Sequence, residues 1–183
     1  MAQGIIEALR QDHDEVREMF SKLEAATGQA RTDLFHELVG ELVRHEVAEE
    51  EILRPVSKRD AGDAVAQARI KEESEAEELL KEMEKLDPGS AEFAQKLEKL
   101  QTEVERPATA EETEEFPKVE QAESAEKLEK MGKAYEAAKA AAPTRQHPST
   151  PNTAAANLLI GPFAAVMDRA RDAVREAAKK NAD

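Results

Sequence analysis

Apolar residues in the first part of the chain recur at alternating steps of three and four, the spacing that places side chains on one face of an α-helix. The first such stripe consists of Ile6, Leu9, His13, Val16, Phe20 and Leu23. The second consists of Phe35, Leu38, Leu42, His45, Glu49 and Ile52. Thr32 and Asp33 precede the second stripe and are expected to cap its helix. The pattern predicts two amphipathic helices with His13, His45 and Glu49 facing the core.

Two further stripes follow the segment RPVSKRDAGD, which we interpret as a connection. The third consists of Ala66, Ile70, Glu73, Ala76, Leu80 and Met83. After the loop LDPGS, in which Ser90 is a candidate cap, the fourth consists of Phe93, Leu97, Leu100, Val104, Pro107 and Glu111. Four helices of about 20 to 27 residues joined by short loops predict an all-α, up-down-up-down four-helix bundle, because this packing buries all four stripes together.

The chain changes character after residue 119. Residues 120–141 are rich in Ala and Lys and predict an additional helix that Tyr135 is expected to pack, whereas residues 142–156 have the composition of a Pro-, Ser- and Thr-rich linker. In residues 157–183, Gly161 and Pro162 mark a helix start, and the apolar spacing that follows predicts a C-terminal amphipathic helix. We expect this helix to cover the bundle, to form a dimer, or to recruit a protein partner.

Charge is distributed unevenly: residues 1–131 carry a net charge of −17 and residues 132–183 a net charge of +3. The C-terminal helix is therefore expected to lie on its own acidic body. The overall charge of −14 argues against nucleic acids and anionic membrane surfaces as partners, because both are bound through cationic faces. The opening residues lack the pattern of a signal peptide, and no apolar run approaches the ~20 residues of a membrane span, so we expect a cytoplasmic protein.

The two halves of the predicted bundle repeat each other at offsets of 60 and 62 residues. The paired positions are His13 with Glu73, His45 with Pro107, and Glu49 with Glu111. Imidazoles and carboxylates on apolar stripes are costly to bury unless they are paired or bound to a cation. The chain has no cysteine, and mixed imidazole and carboxylate ligands without sulfur suit iron, manganese or zinc. Carboxylates able to bridge favour a dinuclear site.

At these positions the sequence resembles the haemerythrin-like cation-binding domains, also called HHE domains, over roughly residues 5–119. The resemblance rests on the order and spacing of LRQDHDEVREMF, LFHELVGELVRHEVAEEEILRP, KEESEAEELLKEMEKLDPGSAEF and TAEETEEFPKV. It implies that residues 1–119 form a bundle holding a non-haem di-iron centre that handles dioxygen, peroxide or nitric oxide. Carried over residue by residue, it implies the metal ligands His13, His45, Glu49, Glu73 and Glu111, with Glu73 standing where a histidine is usual.

Pro107 stands where the family pattern has a further histidine, and proline cannot bind a metal. More carboxylate and less imidazole should favour ferric iron, so we expect a peroxide- or oxygen-reactive centre, with a role in oxidative stress, or a weak and partly occupied site. Pro107 also removes a helical hydrogen bond, so the fourth helix is expected to bend or restart near Arg106. The alternative is that Pro107 disables the site, leaving a metal-poor bundle that acts as a structural or protein-interaction module.

Two residues near the predicted ligands are open to more than one interpretation. Glu112 follows Glu111 and is expected to point outward or to support a ligand. Tyr135 is the only tyrosine, and binding of its phenolate to the metal is the alternative to a purely packing role.

Overall fold

The computed structural model describes residues 3–142 and 163–180. Its α-helices are α1 (Ile5–Ala25), α2 (Gly28–Ile52), α3 (Arg54–Asp60), α4 (Asp63–Met83), α5 (Ala91–Ala110), α6 (Phe116–Ala122), α7 (Ala125–Ala141) and α8 (Phe163–Lys180). A π-helical segment, Glu111–Glu115, joins α5 to α6. The described ranges contain no β-strand, and the predicted all-α class is confirmed. The predicted linker, residues 142–156, lies outside the described residues apart from Ala142, as do residues 157–162.

The four long helices α1, α2, α4 and α5 carry the four predicted stripes. α1 packs against α2 and α4 packs against α5, and consecutive long helices are joined by short connections or by the short helix α3. The side chains of Phe20, Leu38, Leu80 and Leu97 are almost completely buried in one continuous core. This arrangement agrees with the predicted four-helix bundle.

Helix ends show where local sequence signals succeed and fail. Ser90 caps α5, as predicted, because its Oγ accepts a hydrogen bond of 3.1 Å from the backbone N–H of Phe93. The predicted cap at Thr32 and Asp33 was wrong, since α2 already begins at Gly28. Gly28 adopts a φ of 58°, which glycine tolerates without steric cost, so α2 can begin there, separated from the end of α1 by two residues.

The predicted connection after α2 contains a helix, α3. Pro55 lies in its first turn, where the missing N–H of proline leaves no helical hydrogen bond unmade. The first residue of α3 is Arg54, whose side chain is only 8% exposed. A short helix thus carries a positively charged side chain into the bundle.

α5 runs through Pro107 to Ala110, so of the two predicted alternatives, a bend or a restart near Arg106, the restart was wrong. The carbonyl of Pro107 still accepts a hydrogen bond from the N–H of Glu111, and Arg69 donates a second one at 3.4 Å. Tertiary packing of a buried Pro107 therefore outweighs the cost of about 3 kcal/mol for proline inside a helix. The chain then widens into the π-helical segment, a rare conformation that is frequent at functional sites.

α7 and α8 complete the structure on the side of α2. α7 packs against α1 and α2, and α8 contacts α2, α4 and α7. Met167, Ala170 and Val174 of α8 are buried, and Arg171 pairs with Glu50 at 3.0 Å. The described part of α8 therefore takes the covering position that its charge predicted. Within the described ranges, no helix has the length and apolar character needed to cross a lipid bilayer.

Candidate metal centre

The structure brings all five predicted ligands to one cavity of about 80 Å³ inside the bundle. Four elements contribute these side chains: α1 provides one histidine, α2 a histidine and a glutamate, α4 one glutamate, and the π-helical segment after α5 one glutamate. These residues are, in the same order, His13, His45, Glu49, Glu73 and Glu111. The stripe positions identified in the sequence therefore share one buried space.

Two groups of side chains within this cavity have the spacing of a metal site. In the first, which we call the imidazole position, one ligand atom from each of His13, His45 and Glu111 lies within 4.8 Å of the others. In the second, the carboxylate position, the same holds for Glu49, Glu73 and Glu111. Glu111 belongs to both positions and is placed to bridge them.

The ring of His13 is oriented by the π-helical segment. Its Nδ1 lies 2.7 Å from Oε1 of Glu112, so Nδ1 carries the proton and donates to that carboxylate. Its Nε2 is buried, has no hydrogen-bond partner, and lies 3.4 Å from Oε2 of Glu111. A histidine whose one nitrogen donates to a carboxylate while the other presents a free lone pair has the usual arrangement of a metal ligand.

His45 is oriented from the opposite side, by α7. Its Nδ1 lies 2.9 Å from the hydroxyl oxygen of Tyr135, and that hydroxyl donates to Oδ2 of Asp12. The Nε2 of His45 lies 3.2 Å from Oε2 of Glu49. Tyr135 is fully buried and does not line the cavity, so its contacts agree with the packing role rather than with a phenolate ligand.

Asp12 is the centre of a second polar cluster beside the cavity. Burial raises the pKa of its carboxyl, but hydrogen bonds with His45 and Lys139 outweigh this and lower the pKa to about 2. Asp12, Glu15 and Glu41 also have metal-like spacing. However, Nζ of Lys139 lies 2.6 Å from Asp12 and 2.9 Å from Glu41. This cluster already contains its own cation, so it is an ion-pair network and not a second candidate metal site.

Arg54 enters the carboxylate position from α3. Its Nη2 lies 2.9 Å from Oε1 of Glu49, contacts Oε1 of Glu73, and lies 3.8 Å from Oε1 of Glu111. Its Nη1 lies 3.5 Å from Oε1 of Glu115. One guanidinium thus faces four carboxylates in a buried space.

Burial and neighbouring charges shift the pKa values of the carboxyl groups in the cavity. Burial raises the pKa of Glu49, yet Arg54 and His45 outweigh it and lower this pKa to about 2. Burial raises the pKa of Glu111 well above its ordinary value, and the neighbouring Glu49 adds to this effect. Burial also raises the pKa of Glu73. The carboxylates can therefore carry more negative charge than the single positive charge of Arg54 compensates. A further positive charge in the cavity would be stabilised.

Sequence reasoning missed the contacts of Arg54 and Asp12. The position of Asp12, directly before His13, was a weak signal that it could support a neighbouring ligand. Arg54 gave no periodic signal, because it lies after the end of α2 in a segment interpreted as a connection. Glu112 was expected to point outward or to support a ligand, and its contact with His13 matches the second possibility.

The donor set fits a metal ion at the imidazole position. Its observed features are the free Nε2 of His13, the Nε2 of His45 facing Glu49, and the nearby carboxylate of Glu111. These are nitrogen and oxygen donors in a mixture that suits iron, manganese or zinc. Residues at the carboxylate position also have suitable donor atoms, but Arg54 contacts the same oxygens.

A four-helix bundle with inward-facing histidine and glutamate side chains defines a class of proteins that bind cations between helices. The chain belongs to the haemerythrin family: the family model described as Hemerythrin HHE cation binding domain matches residues 4–119. The resemblance stated from the sequence is thereby confirmed. Residues 120–183 lie outside the matched range.

Two individual proteins are similar to this chain. An uncharacterized haemerythrin-like protein of Schizosaccharomyces pombe is 26% identical over 172 residues, which cover 92% of this chain and 85% of the relative. A crystal structure of a haemerythrin HHE cation-binding domain-containing protein from Mycobacterium kansasii aligns with a TM-score of 0.72 at 18% identity, covering 91% of this chain and 99% of that chain. At this identity the structural likeness supports the fold alone.

Proposed function

We propose that this protein binds non-haem iron in the bundle cavity and reacts there with peroxide, dioxygen or nitric oxide, in a role linked to oxidative stress. The primary ion would be held at the imidazole position by His13, His45 and Glu111, with Glu49 close to His45. Glu73 would be a donor at the carboxylate position, which is the second site of a dinuclear centre in the family pattern. The proposal gives the buried donor atoms of His13, His45 and Glu111 a common partner.

The observation that carries the proposal is the buried Nε2 of His13, which has no hydrogen-bond partner. A buried nitrogen without a partner costs on the order of 1–3 kcal/mol, so a folded protein rarely keeps one without a reason. The proton on Nδ1 is held by Glu112, which keeps the Nε2 lone pair available. A metal ion at this point would bind the nitrogen and also offset the negative charge of Glu111.

The size and lining of the cavity favour a small reactant. A cavity of about 80 Å³ has room for a metal ion and a small molecule beside it. Apolar side chains that include Val16, Leu80 and Met167 line the rest of the cavity. Iron bound there would supply redox chemistry, while these side chains limit the entry of water and larger molecules.

The test is iron binding followed by peroxide consumption. The chelator-treated protein should bind ferrous iron under anaerobic conditions, and His45→Ala should lose most of it. His36→Ala is the matched control, because His36 lies on the same helix and does not line the cavity. Iron-dependent peroxide consumption that disappears in His45→Ala would support the proposal; an iron-loaded protein inert to peroxide, dioxygen and nitric oxide would contradict it.

A metal-poor structural or interaction module is the second candidate, and one observation favours it. Arg54 pairs with Glu49 and Glu73 inside the bundle, so part of the buried negative charge is compensated without a metal. This candidate predicts a chain that folds with unchanged stability in chelator and binds no iron. The same binding experiment therefore separates the two functions.

A further inference from the structure

The carboxylate position already contains a positive charge that belongs to the chain. Nη2 of Arg54 lies among Glu49, Glu73 and Glu111, the three residues that have metal-like spacing there. These glutamates come from α2, α4 and the π-helical segment, so three separate elements converge on one nitrogen atom. The guanidinium therefore takes up the space in which a second metal ion would have to bind.

Nη2 of Arg54 has more carboxylates around it than one NH₂ group can bind directly. A guanidinium NH₂ group has two hydrogens and can donate directly to two acceptors. Here three carboxylates approach it, and the third, Glu111, is 3.8 Å away, beyond hydrogen-bond distance. The carboxylate position thus offers one more carboxylate than Nη2 can donate to, which is expected of a site whose residues could also hold a metal ion.

The imidazole position is different, because no lysine or arginine lines it. Among the described residues, His13 and His45 line the cavity, whereas Arg54 reaches Glu49 and Glu73 without being part of the lining. Arg54 makes its contacts with Glu49, Glu73, Glu111 and Glu115, and none with either histidine. The two halves of the cavity thus differ in whether a metal ion must displace a protein cation.

Two departures from the family pattern also disfavour a second metal ion. Glu73 and Pro107 stand where the family pattern has histidines, so the carboxylate position has no imidazole donor. Arg54 is attached to the chain and buried, and therefore competes at a high effective concentration with any ion from solution. A second metal ion would have to bind without imidazole while displacing a guanidinium from its carboxylates.

We infer that Arg54 is a built-in cation that replaces the second metal ion, so that the centre takes one iron tightly, at the imidazole position. This inference rests on the proposed function, since it assumes that iron binds in the cavity. It adds the stoichiometry of the site and names the residue that sets it. In the metal-free chain, Arg54 also keeps Glu49 and Glu73 from repelling each other.

The experiment is an anaerobic titration of the metal-free chain with ferrous iron, with bound iron measured per chain and by calorimetry. The variants are Arg54→Gln, which removes the charge, and Arg69→Gln as the matched control. Arg69 is another buried arginine, but it contacts Glu72 and the carbonyl of Pro107 rather than the carboxylate position. Urea unfolding of each metal-free and iron-loaded protein gives a second readout.

The wild type and Arg69→Gln are expected to bind one iron tightly. Arg54→Gln should bind two, with the second at least about tenfold tighter than any second iron in the wild type, because a like charge no longer lies among the same carboxylates. Metal-free Arg54→Gln should unfold at lower urea than the wild type, and iron should reverse this difference.

Two results overturn the inference without touching the proposed function: two irons of comparable affinity in the wild type, or an unchanged second affinity in Arg54→Gln. The first needs only the wild type, so it decides the question even if Arg54→Gln fails to fold. No iron bound by any of the proteins would refute the proposed function itself, and the inference with it.

Discussion

Nδ1 of His13 lies 2.7 Å from Oε1 of Glu112. Glu112 follows the predicted ligand Glu111 in the chain, and it orients the imidazole ring of the predicted ligand His13. The π-helical segment makes this possible, because its wider turn lets neighbouring residues face the same side chain. We predict that Glu112→Ala lowers iron affinity by about 10- to 100-fold, the usual effect of removing such a support. Titration of the metal-free variant with ferrous iron measures this.

Two further variants make the Glu112 result specific. Glu112→Gln keeps an oxygen that accepts from Nδ1 and should retain more affinity than Glu112→Ala. Glu114→Ala, at an exposed position of the same segment, should bind iron like the wild type. Equal affinity in Glu112→Ala and Glu114→Ala would show that the hydrogen bond to His13 has no part in metal binding.

Pro107 has two separable effects, on the backbone and on the donor set. Pro107→Ala restores a helical N–H and should raise the free energy of unfolding by up to about 3 kcal/mol, without changing metal affinity. Pro107→His restores the same N–H and adds an imidazole one turn before Glu111. It should also tighten iron binding.

Comparison of the two Pro107 variants isolates the imidazole. Urea unfolding of the metal-free proteins gives the backbone effect, and iron titration gives the donor effect. If Pro107→His and Pro107→Ala bind iron equally well, a side chain at position 107 does not reach the metal. The sequence repeat that pairs position 107 with His45 would then not extend to metal binding.

The hydroxyl of Tyr135 accepts from His45 and donates to Asp12. Tyr135→Phe keeps the ring but leaves these two buried groups with fewer partners. We expect the free energy of unfolding of the metal-free protein to fall by about 1–3 kcal/mol. The visible spectrum of the iron-loaded protein should not change, since Tyr135 does not line the cavity. Loss of an absorption band in this variant would instead identify a phenolate ligand.

Arg171 joins α8 to two other helices, through Glu50 of α2 at 3.0 Å and Glu77 of α4 at 3.3 Å. Arg171→Glu would place three carboxylates together, so α8 should exchange its amide hydrogens faster and chelator should remove iron faster, because Met167 lines the cavity. Arg175→Glu is the control, at an exposed position of α8. Equal exchange and equal iron loss in the two variants would mean that Arg171 does not hold α8 in place.

The long helices and their inward-facing residues could be predicted from the sequence. His13, His45, Glu49, Glu73 and Glu111 occupy positions on apolar stripes, and helical spacing alone turns such positions toward the core. The capping role of Ser90 was also predictable, because it depends on residues close in the chain. These features depend on local geometry, which is why one sequence was enough to find them.

The contacts that orient the histidines and neutralise the buried carboxylates could not be predicted from spacing along the chain. Arg54 reaches Glu73, Tyr135 reaches Asp12, and Glu112 reaches His13 across different helices. No spacing along the chain encodes these pairs. The start of α2 and the course of α5 through Pro107 were predicted wrongly for a related reason, since backbone freedom at Gly28 and packing around Pro107 outweighed the local signals.

The central claim is that the cavity binds iron through His13 and His45, and the most direct measurement is iron per chain after anaerobic ferrous reconstitution. We predict about one iron in the wild type and in His36→Ala, and almost none in His45→Ala, because the imidazole position loses one of its two nitrogen donors. No iron in the wild type, or an undiminished content in His45→Ala, would contradict the claim.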